Sequence, residues 1–540
     1  MAESSSNSVV KGTMILIIGN IIVKIIGAFF KLPLANIIGA DGMGLYNSSF
    51  TVYDIFLVLS TAGYTLAISK MVSTCCAHGK DGEALQILKI TRNLFFVIGL
   101  VFSAVMFLGA RIYAQMIGNT RSFFCILMLS PAVLFVSLMC AYRGYYQGTN
   151  DMIPTTVSQV VEAIARLIIG LAVSWYLKSK GFGMEVVAAG ALAGITFGEF
   201  SSTFTLAMIH RFKRRGKKIR RQSFAPSGRI MRNLFATSVP IGISGIIISV
   251  INILDNSIVM HRLQNIGCTE QQANTLNGAF NMAFTVFSLP ITIVMAVTTS
   301  VFPVLSYAHA SGSHARVQKI IKASLRIIMI ASTATAAIFL ALSGPIIKIL
   351  YFGQPRDAQI ATPLLVLMSP AAVLISLAVI TGTILQAVDK LIVPSRSSII
   401  GGAICLVFNW YLIGNPQIGI YGVPIGICIC YGIVTFLNLF EIRKCGIKFN
   451  SREVLLKPVL PAVVLALSLA AVYYLSYRTL GNIKAVVLSL TVSIAVYLVV
   501  LFTSGTVEKD DLNMIPGGKK LVKVLEKLNF FKSRSPVHIV

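Results

Sequence analysis

Long apolar blocks, each close to the ~20 residues that an α-helix needs to cross a bilayer, alternate with short polar turns along this chain. They fall at 14–38, 46–69, 93–112, 123–147, 154–177, 186–210, 233–259, 275–305, 323–347, 361–387, 395–413, 420–440, 457–477 and 483–503. The pattern predicts fourteen transmembrane helices. The first dozen residues are Ser-rich with a single Lys11, and the apolar run behind them is long enough to span. It is therefore expected to be retained as helix 1, not cleaved as a signal.

Two of the blocks read alike 239 positions apart. Ser130-Pro131-Ala132, Ser137-Leu138 and Gln147 correspond to Ser369-Pro370-Ala371, Ser376-Leu377 and Gln386. Each series runs into a short polar turn, Gly148 to Asp151 in one copy and Ala387 to Lys390 in the other. Seven of 24 aligned residues are identical, so the matching order of the flanking elements carries more weight than the identities. An internal duplication in so apolar a chain is the mark of a transporter. The expected fold is an all-α integral membrane protein with two pseudo-symmetric six-helix lobes, a cavity between them and two extra C-terminal helices. The boundaries expected are an N-lobe at 1–210, a basic linker at 211–232, a C-lobe at 233–441, the helix pair at 457–503 and a tail at 504–540. In that tail, Lys519 to Lys532 has a short amphipathic pattern (Leu521, Val522, Leu525, Leu528) suited to lying on the inner leaflet.

Composition agrees with the pattern. Of 540 residues 56% are hydrophobic and only 12% charged, with a mean hydropathy of +0.81, more apolar surface than a water-soluble protein can hide. Most of the 46 Lys and Arg residues fall in alternate loops and at the C-terminus, which places both termini in the cytoplasm by the positive-inside rule. The densest loop includes Arg214, Arg215, Lys217, Lys218, Arg220 and Arg221. A net charge of +27 invites a nucleic-acid reading, but a topology-setting loop facing anionic lipid headgroups accounts for it better, so membrane lipids and no nucleic acid are expected as partners. The nine cysteines form no CxxC pair and flank no His cluster, so no metal or redox site is expected.

Ionisable groups at membrane depth cost several kcal/mol unless paired or hydrated, which makes each one a functional candidate. In the first block Thr13, Asn20, Lys24 and Lys31 keep to one stripe roughly 60° wide at ~100° per residue, so helix 1 has a polar face. Lys24 lies near mid-bilayer and Lys31 close enough to the outer surface to snorkel. In the fifth block Thr155, Gln159, Glu162 and Arg166 share a face, and Glu162 and Arg166, four apart, either neutralise each other or line a polar cavity. Arg143 stands one turn before Gln147 and either lines the cavity or snorkels to the cytoplasm. Asp54 shares a stripe with Thr61 and Thr65, where it neutralises a lysine of helix 1 or binds a cation. Glu199 is central in the sixth block, and Asp255 either forms a rim ion pair with Arg262 or serves function. Asn274, Asn277 and Asn281 form an amide stripe suited to a sugar-like ligand or to helix packing. Cations at depth suggest an anionic substrate, with Lys24, Lys31, Arg143 and Arg166 as candidates for a diphosphate. No nucleophile motif, P-loop or cofactor fingerprint is present, so a transporter is expected, not an enzyme, driven by Na+ or H+ coupling or the membrane potential.

Several segments together resemble the Stage V sporulation protein B and MurJ-like branch of the multidrug/oligosaccharidyl-lipid/polysaccharide (MOP) flippase superfamily. They are Lys31-Leu32-Pro33-Leu34 with Ile38-Gly39 and Gly42-Met43-Gly44-Leu45-Tyr46, then Ser60-Thr61-Ala62-Gly63 with Ala67-Ile68-Ser69-Lys70. Tyr142-Arg143-Gly144-Tyr145-Tyr146-Gln147-Gly148 through Pro154 and Gln159, Pro240 to Asp255, and Phe302-Pro303-Val304-Leu305-Ser306 complete the series. The resemblance covers nearly the whole chain. It implies a MATE-like, fourteen-helix, monomeric flippase of the bacterial plasma membrane, acting by alternating access on an undecaprenyl-diphosphate-linked oligosaccharide such as lipid II. It also implies that cations of helices 1 and 2 and of other cavity helices hold the diphosphate and that the last two helices form a groove for the lipid tail. Here the helix 1 motif position that is often Arg is Lys31, and the central part of helix 2 has Asp54 and no cation. Two rivals remain, a cation-coupled multidrug exporter of the same superfamily and a membrane glycosyltransferase.

Overall fold

The computed structural model describes residues 2–214, 226–447, 450 and 452–507. Residues 215–225 of the basic linker expected at 211–232, and the tail from 508 onward with the amphipathic stretch at Lys519 to Lys532, lie outside the described residues. Among the described residues every regular element is helical. In order they are α1 (Ala2–Thr61), α2 (Tyr64–Ala77), α3 (Asp81–Leu108), α4 (Ala110–Met116), α5 (Phe123–Gly148), α6 (Met152–Ser179) and α7 (Met184–Arg214). They continue as α8 (Ser227–Asn265), α9 (Glu270–Ala310), α10 (His314–Leu350), α11 (Pro355–Ala387), α12 (Ile392–Ile413), α13 (Gly422–Lys444) and α14 (Val459–Thr503).

Eleven described stretches are long and apolar enough to cross a membrane. Two of them, Gly19–Ala77 with 59 residues and Arg452–Thr503 with 52, exceed what one crossing of a ~30 Å hydrocarbon core needs at ~1.5 Å per residue. Each is broken by a glycine in the left-handed region, Gly39 (φ 64°) in α1 and Gly481 (φ 74°) in α14. A side chain at either position would clash with its own backbone, so the sharp reversal needs glycine. The expected spans 14–38 and 46–69 meet at the first kink, and 457–477 and 483–503 meet at the second.

Contacts divide the chain into two compact units, Met1–Met282 with Asn409–Ile420, and Ala283–Phe408 with Tyr421–Val540. In the second unit Ile320, Ile321, Leu325 and Ile328 of α10 pack on Ile380, Ile384 and Leu385 of α11. Leu465 and Leu469 of α14 join Ala337 and Leu342 of α10 in a second cluster, and Tyr497 Oη donates to the Ile330 carbonyl (3.1 Å).

In the first unit α6 and α7 lie backbone to backbone. Gly190, Gly194 and Gly198 repeat every fourth residue on α7, the small-residue spacing that lets membrane helices approach closely. A Cβ on Gly194 would stand 2.6 Å from the backbone of Gly170, and one on Gly198 would stand 2.9 Å from the Glu162 carbonyl. A second interlock surrounds Arg121, in the turn between α4 and α5. Its guanidinium forms two 2.8 Å bonds to Asp41, just past the α1 kink, and a 2.6 Å bond to Glu185 at the start of α7. Asn274 of α9 donates to Asp41 Oδ1 (2.7 Å) and accepts from Asn119 (2.7 Å), while Glu270 accepts from Thr120.

The duplication is visible in hydrogen bonds. Ser137 Oγ donates to the Val133 carbonyl on α5, and Ser376 Oγ to the Ala372 carbonyl on α11, each partner 239 positions on. Thr203 of α7 donates to the Phe135 carbonyl (2.9 Å), and Thr435 of α13 to its counterpart Leu374 (3.0 Å). Among the described residues the non-glycine positions with positive φ are Asn150 (57°) and Asp389 (62°), again 239 apart in the turns that end the two repeats. Asn and Asp tolerate this region better than other side chains because they bond locally.

Two consequences are measurable by thermal unfolding of the detergent-purified protein. Asn150→Gly and Asp389→Gly should leave stability unchanged or raise it by under about 1 kcal/mol, whereas Asn150→Val should lower it by about 1–2 kcal/mol. Gly194→Leu should separate α6 from α7 and sharply reduce the yield of folded protein, while Gly181→Ala, in an open turn with nothing near its Cβ, should cost only about 1 kcal/mol for its positive φ.

Candidate functional site

The α6/α7 seam sets the level at which charged side chains meet in the first unit. Glu162 and Arg166 project from α6, Glu199 from α7 one residue past Gly198, and Arg143 from α5. The Glu162 carboxylate bridges two guanidiniums, with Oε2 at 2.9 Å from Arg143 Nη2 and Oε1 at 2.9 Å from Arg166 Nη2. Arg166 Nη2 also reaches Glu199 Oε1 at 3.5 Å. Two hydroxyls hold Arg143 in place, Ser158 Oγ at 3.2 Å from Nε and Ser202 Oγ at 3.2 Å from Nη2. The four side chains line a cavity of about 360 Å³ with Tyr53, Leu57 and Thr65.

Burial of two cations and two anions carries a desolvation penalty of several kcal/mol per ion, which close pairing offsets, so removing one partner is far more damaging than replacing the set. Pairing is incomplete. Arg166 Nε, Glu199 Oε2 and Tyr53 Oη are buried without a hydrogen-bond partner among the described residues, and all three side chains face the same cavity. Its walls can therefore still donate from Arg166 and accept at Glu199, as a site for a polar ligand requires.

The structure brings together Arg143, Glu162, Arg166 and Glu199, more than the two-residue couple that helical spacing suggests. Arg143 turns into the cavity. Asn20 and Lys24 are exposed and Lys31 is half-buried, and neither lysine forms an ion pair among the described residues. The side chain of Thr13 lies outside the described set. Asp54 accepts a 2.7 Å hydrogen bond from Ser249 of α8 and pairs with no lysine there. Gln147 is half-buried near the end of α5, and Gln159 is half-buried on α6 with Oε1 lacking a partner among the described residues.

The rim ion pair considered for Asp255 does not form. Asp255 and Arg262 stand seven residues apart on α8, about 10 Å along the axis at ~1.5 Å per residue. Asp255 instead accepts from Asn409 Nδ2 (2.6 Å), while Arg262 stacks on the Trp410 ring at 4.7 Å and donates to its carbonyl. The amide stripe of α9 packs helices: Asn274 ties α9 to Asp41, Asn277 donates to Asn256 of α8 (3.0 Å), and Asn281 donates back to the Asn277 carbonyl. Gly278 completes this contact, since a Cβ there would collide with the Ala40 carbonyl.

Sequence reasoning missed Tyr53 in the cavity wall, Ser158 and Ser202 behind Arg143, and the Arg121 interlock. The fourfold glycine spacing on α7 was the available signal for the seam. The remainder depends on which helices become neighbours.

Comparison with known proteins agrees with this architecture. The polysaccharide biosynthesis protein family matches residues 9–309. The chain is 26% identical over 539 residues to Lipid II flippase MurJ of Bacillus subtilis (strain 168), covering 95% of this chain and 98% of that one. It is 24% identical over 515 residues to Stage V sporulation protein B of the same organism, covering 94% and 97%. A solved structure of Lipid II flippase MurJ in an inward closed conformation superposes with a TM-score of 0.67 at 16% identity, covering 89% of this chain and 96% of that one. The fold is the all-α, multi-helix membrane architecture of the solved MurJ structure, and the chain belongs to the polysaccharide biosynthesis protein family.

Proposed function

We propose that the protein is a flippase for an undecaprenyl-diphosphate-linked oligosaccharide, with the peptidoglycan precursor lipid II as the leading substrate, moving its headgroup from the inner to the outer leaflet by alternating access. Similarity along almost the full length of two Bacillus subtilis relatives, one of them the lipid II flippase MurJ, supports the substrate class. The observation that carries the reading at the level of residues is the distribution of uncancelled charge. Arg143 and Arg166 are matched by Glu162 and Glu199, while Lys24 and Lys31 on α1 have no carboxylate partner among the described residues. A diphosphate carries at least two negative charges, and it is drawn to cations whose charge is not already cancelled.

In this proposal both termini lie in the cytoplasm, the membrane is the bacterial plasma membrane and the working unit is a monomer. Lys24 and Lys31 receive the diphosphate first, and the polar cavity takes part as the headgroup enters. An inside-negative membrane potential favours outward movement of an anionic headgroup, by ~2.3 kcal/mol per charge per 100 mV if the full field is crossed. Na+ or H+ exchange is the alternative source of energy.

Depletion of the protein in its native host should make lipid II accumulate on the inner leaflet, and a Lys24→Ala/Lys31→Ala variant should fail to relieve that accumulation at normal protein levels. Relief by the double variant would remove the lysines from the mechanism. No accumulation on depletion would reject lipid II as the substrate.

A further inference from the structure

Glu162 is the unusual member of the cavity. A single carboxylate holds two guanidiniums, one with each oxygen and each at 2.9 Å, so the arginines converge on one small anion. Two guanidiniums that converge on a shared oxyanion are also arranged to bind a diphosphate, whose linked phosphoryl groups offer more acceptor oxygens than a carboxylate. The carboxylate leaves Arg166 Nε without a partner among the described residues, and a phosphoryl group has the spare acceptors to use that donor.

We propose that Glu162 is an internal stand-in for the substrate's diphosphate. It keeps Arg143 and Arg166 paired while the site is empty, and the incoming diphosphate exchanges with it. This inference rests on the lipid-linked substrate proposed above and adds a specificity device to it. A lone carboxylate or a monophosphate can bridge the two guanidiniums as Glu162 does but brings less charge and fewer acceptors than a diphosphate, whose extra oxygens can also use Arg166 Nε, so the diphosphate competes best with Glu162. The rest of the cavity suits the exchange. Ser158 and Ser202 keep Arg143 oriented when Glu162 leaves, and Glu199 retains its 3.5 Å contact with Arg166. The other charged groups of this region are Lys31 and Asp54 on α1, and Asp54 is held by Ser249. The diphosphate brings the negative charge that Glu162 withdraws from the arginines, and Lys31, close enough to feel the charge of Arg166, is a cation without a carboxylate partner among the described residues.

The test is a binding titration of the purified full-length protein in lipid nanodiscs with undecaprenyl diphosphate and, in parallel, undecaprenyl monophosphate. Glu162→Gln removes the competing charge and should tighten diphosphate binding by about tenfold, with a much smaller change for the monophosphate. The gain should vanish in Glu162→Gln/Arg143→Gln, and Glu199→Gln should give less, since Glu199 does not touch Arg143. If Glu162→Gln lowers the thermal midpoint too far to assay, Glu162→Asp, too short to bridge both arginines, should shift affinity in the same direction. Wild-type binding that Glu162→Gln fails to tighten, or a gain that survives loss of Arg143, overturns the stand-in and leaves the flippase reading intact. No binding by the wild type or any variant rejects the diphosphate reading itself, and the stand-in with it.

Discussion

Charge placed in a low-dielectric interior must be cancelled within a few ångströms, and the first unit is organised around that constraint. Arg143, Glu162, Arg166 and Glu199 come from three helices, so their pairing requires α5, α6 and α7 to meet at one level. The glycines of α7 allow it: with Gly194 and Gly198 against the α6 backbone, Glu199 comes within reach of Arg166. A bulkier seam would separate the helices and leave charges buried without partners, an outcome that destabilises more than loss of the pair itself. Close backbone packing and the polar cavity are thus two aspects of one arrangement.

The duplicated half shows what becomes of the same scaffold without the charges. At the 239-residue offset, Arg143 corresponds to Gly382, Glu162 to Gly401 and Arg166 to Cys405. Gly401 lies so close to α13 that a Cβ would stand 2.5 Å from Val434 Cγ2 and 3.0 Å from the Cys430 carbonyl, and Cys405 is buried. Backbones approach at this seam in both copies, with charged side chains beside it in the first and none at the three corresponding positions in the second. The serine and threonine hydrogen bonds common to both copies hold the scaffold, so the scaffold and the chemistry can change separately.

Hydrophobic blocks made the helices legible, because span length is imposed by the bilayer and survives almost any change of sequence. The repeat was legible for a related reason: prolines, serines and a terminal Gln mark fixed points of backbone geometry, and the positive φ of Asn150 and Asp389 lies where the two copies run into their turns. Helical spacing also placed Glu162 beside Arg166. It could not place Arg143 or Glu199 there, since both arrive from other helices, nor show that Asp255 prefers Asn409 to an arginine two turns away. The amide stripe illustrates the same limit. Periodicity located its face, but only the neighbouring backbone reveals that Asn274 and Gly278 serve packing.

Cations in a transporter have opposing duties. They must attract an anion strongly enough to bring it from the headgroup region, yet weakly enough to release it on the other side. An unpaired lysine favours attraction, because a flexible point charge makes few directional demands. A paired arginine favours release, because its carboxylate is always at hand to reclaim it. On the proposed reading, Lys24 and Lys31 on α1 take the first duty and Arg143 and Arg166 of the cavity the second. A chain with only unpaired cations at depth would bear the full penalty of buried charge between cycles. One with only paired cations would lose the long-range attraction that brings the headgroup in.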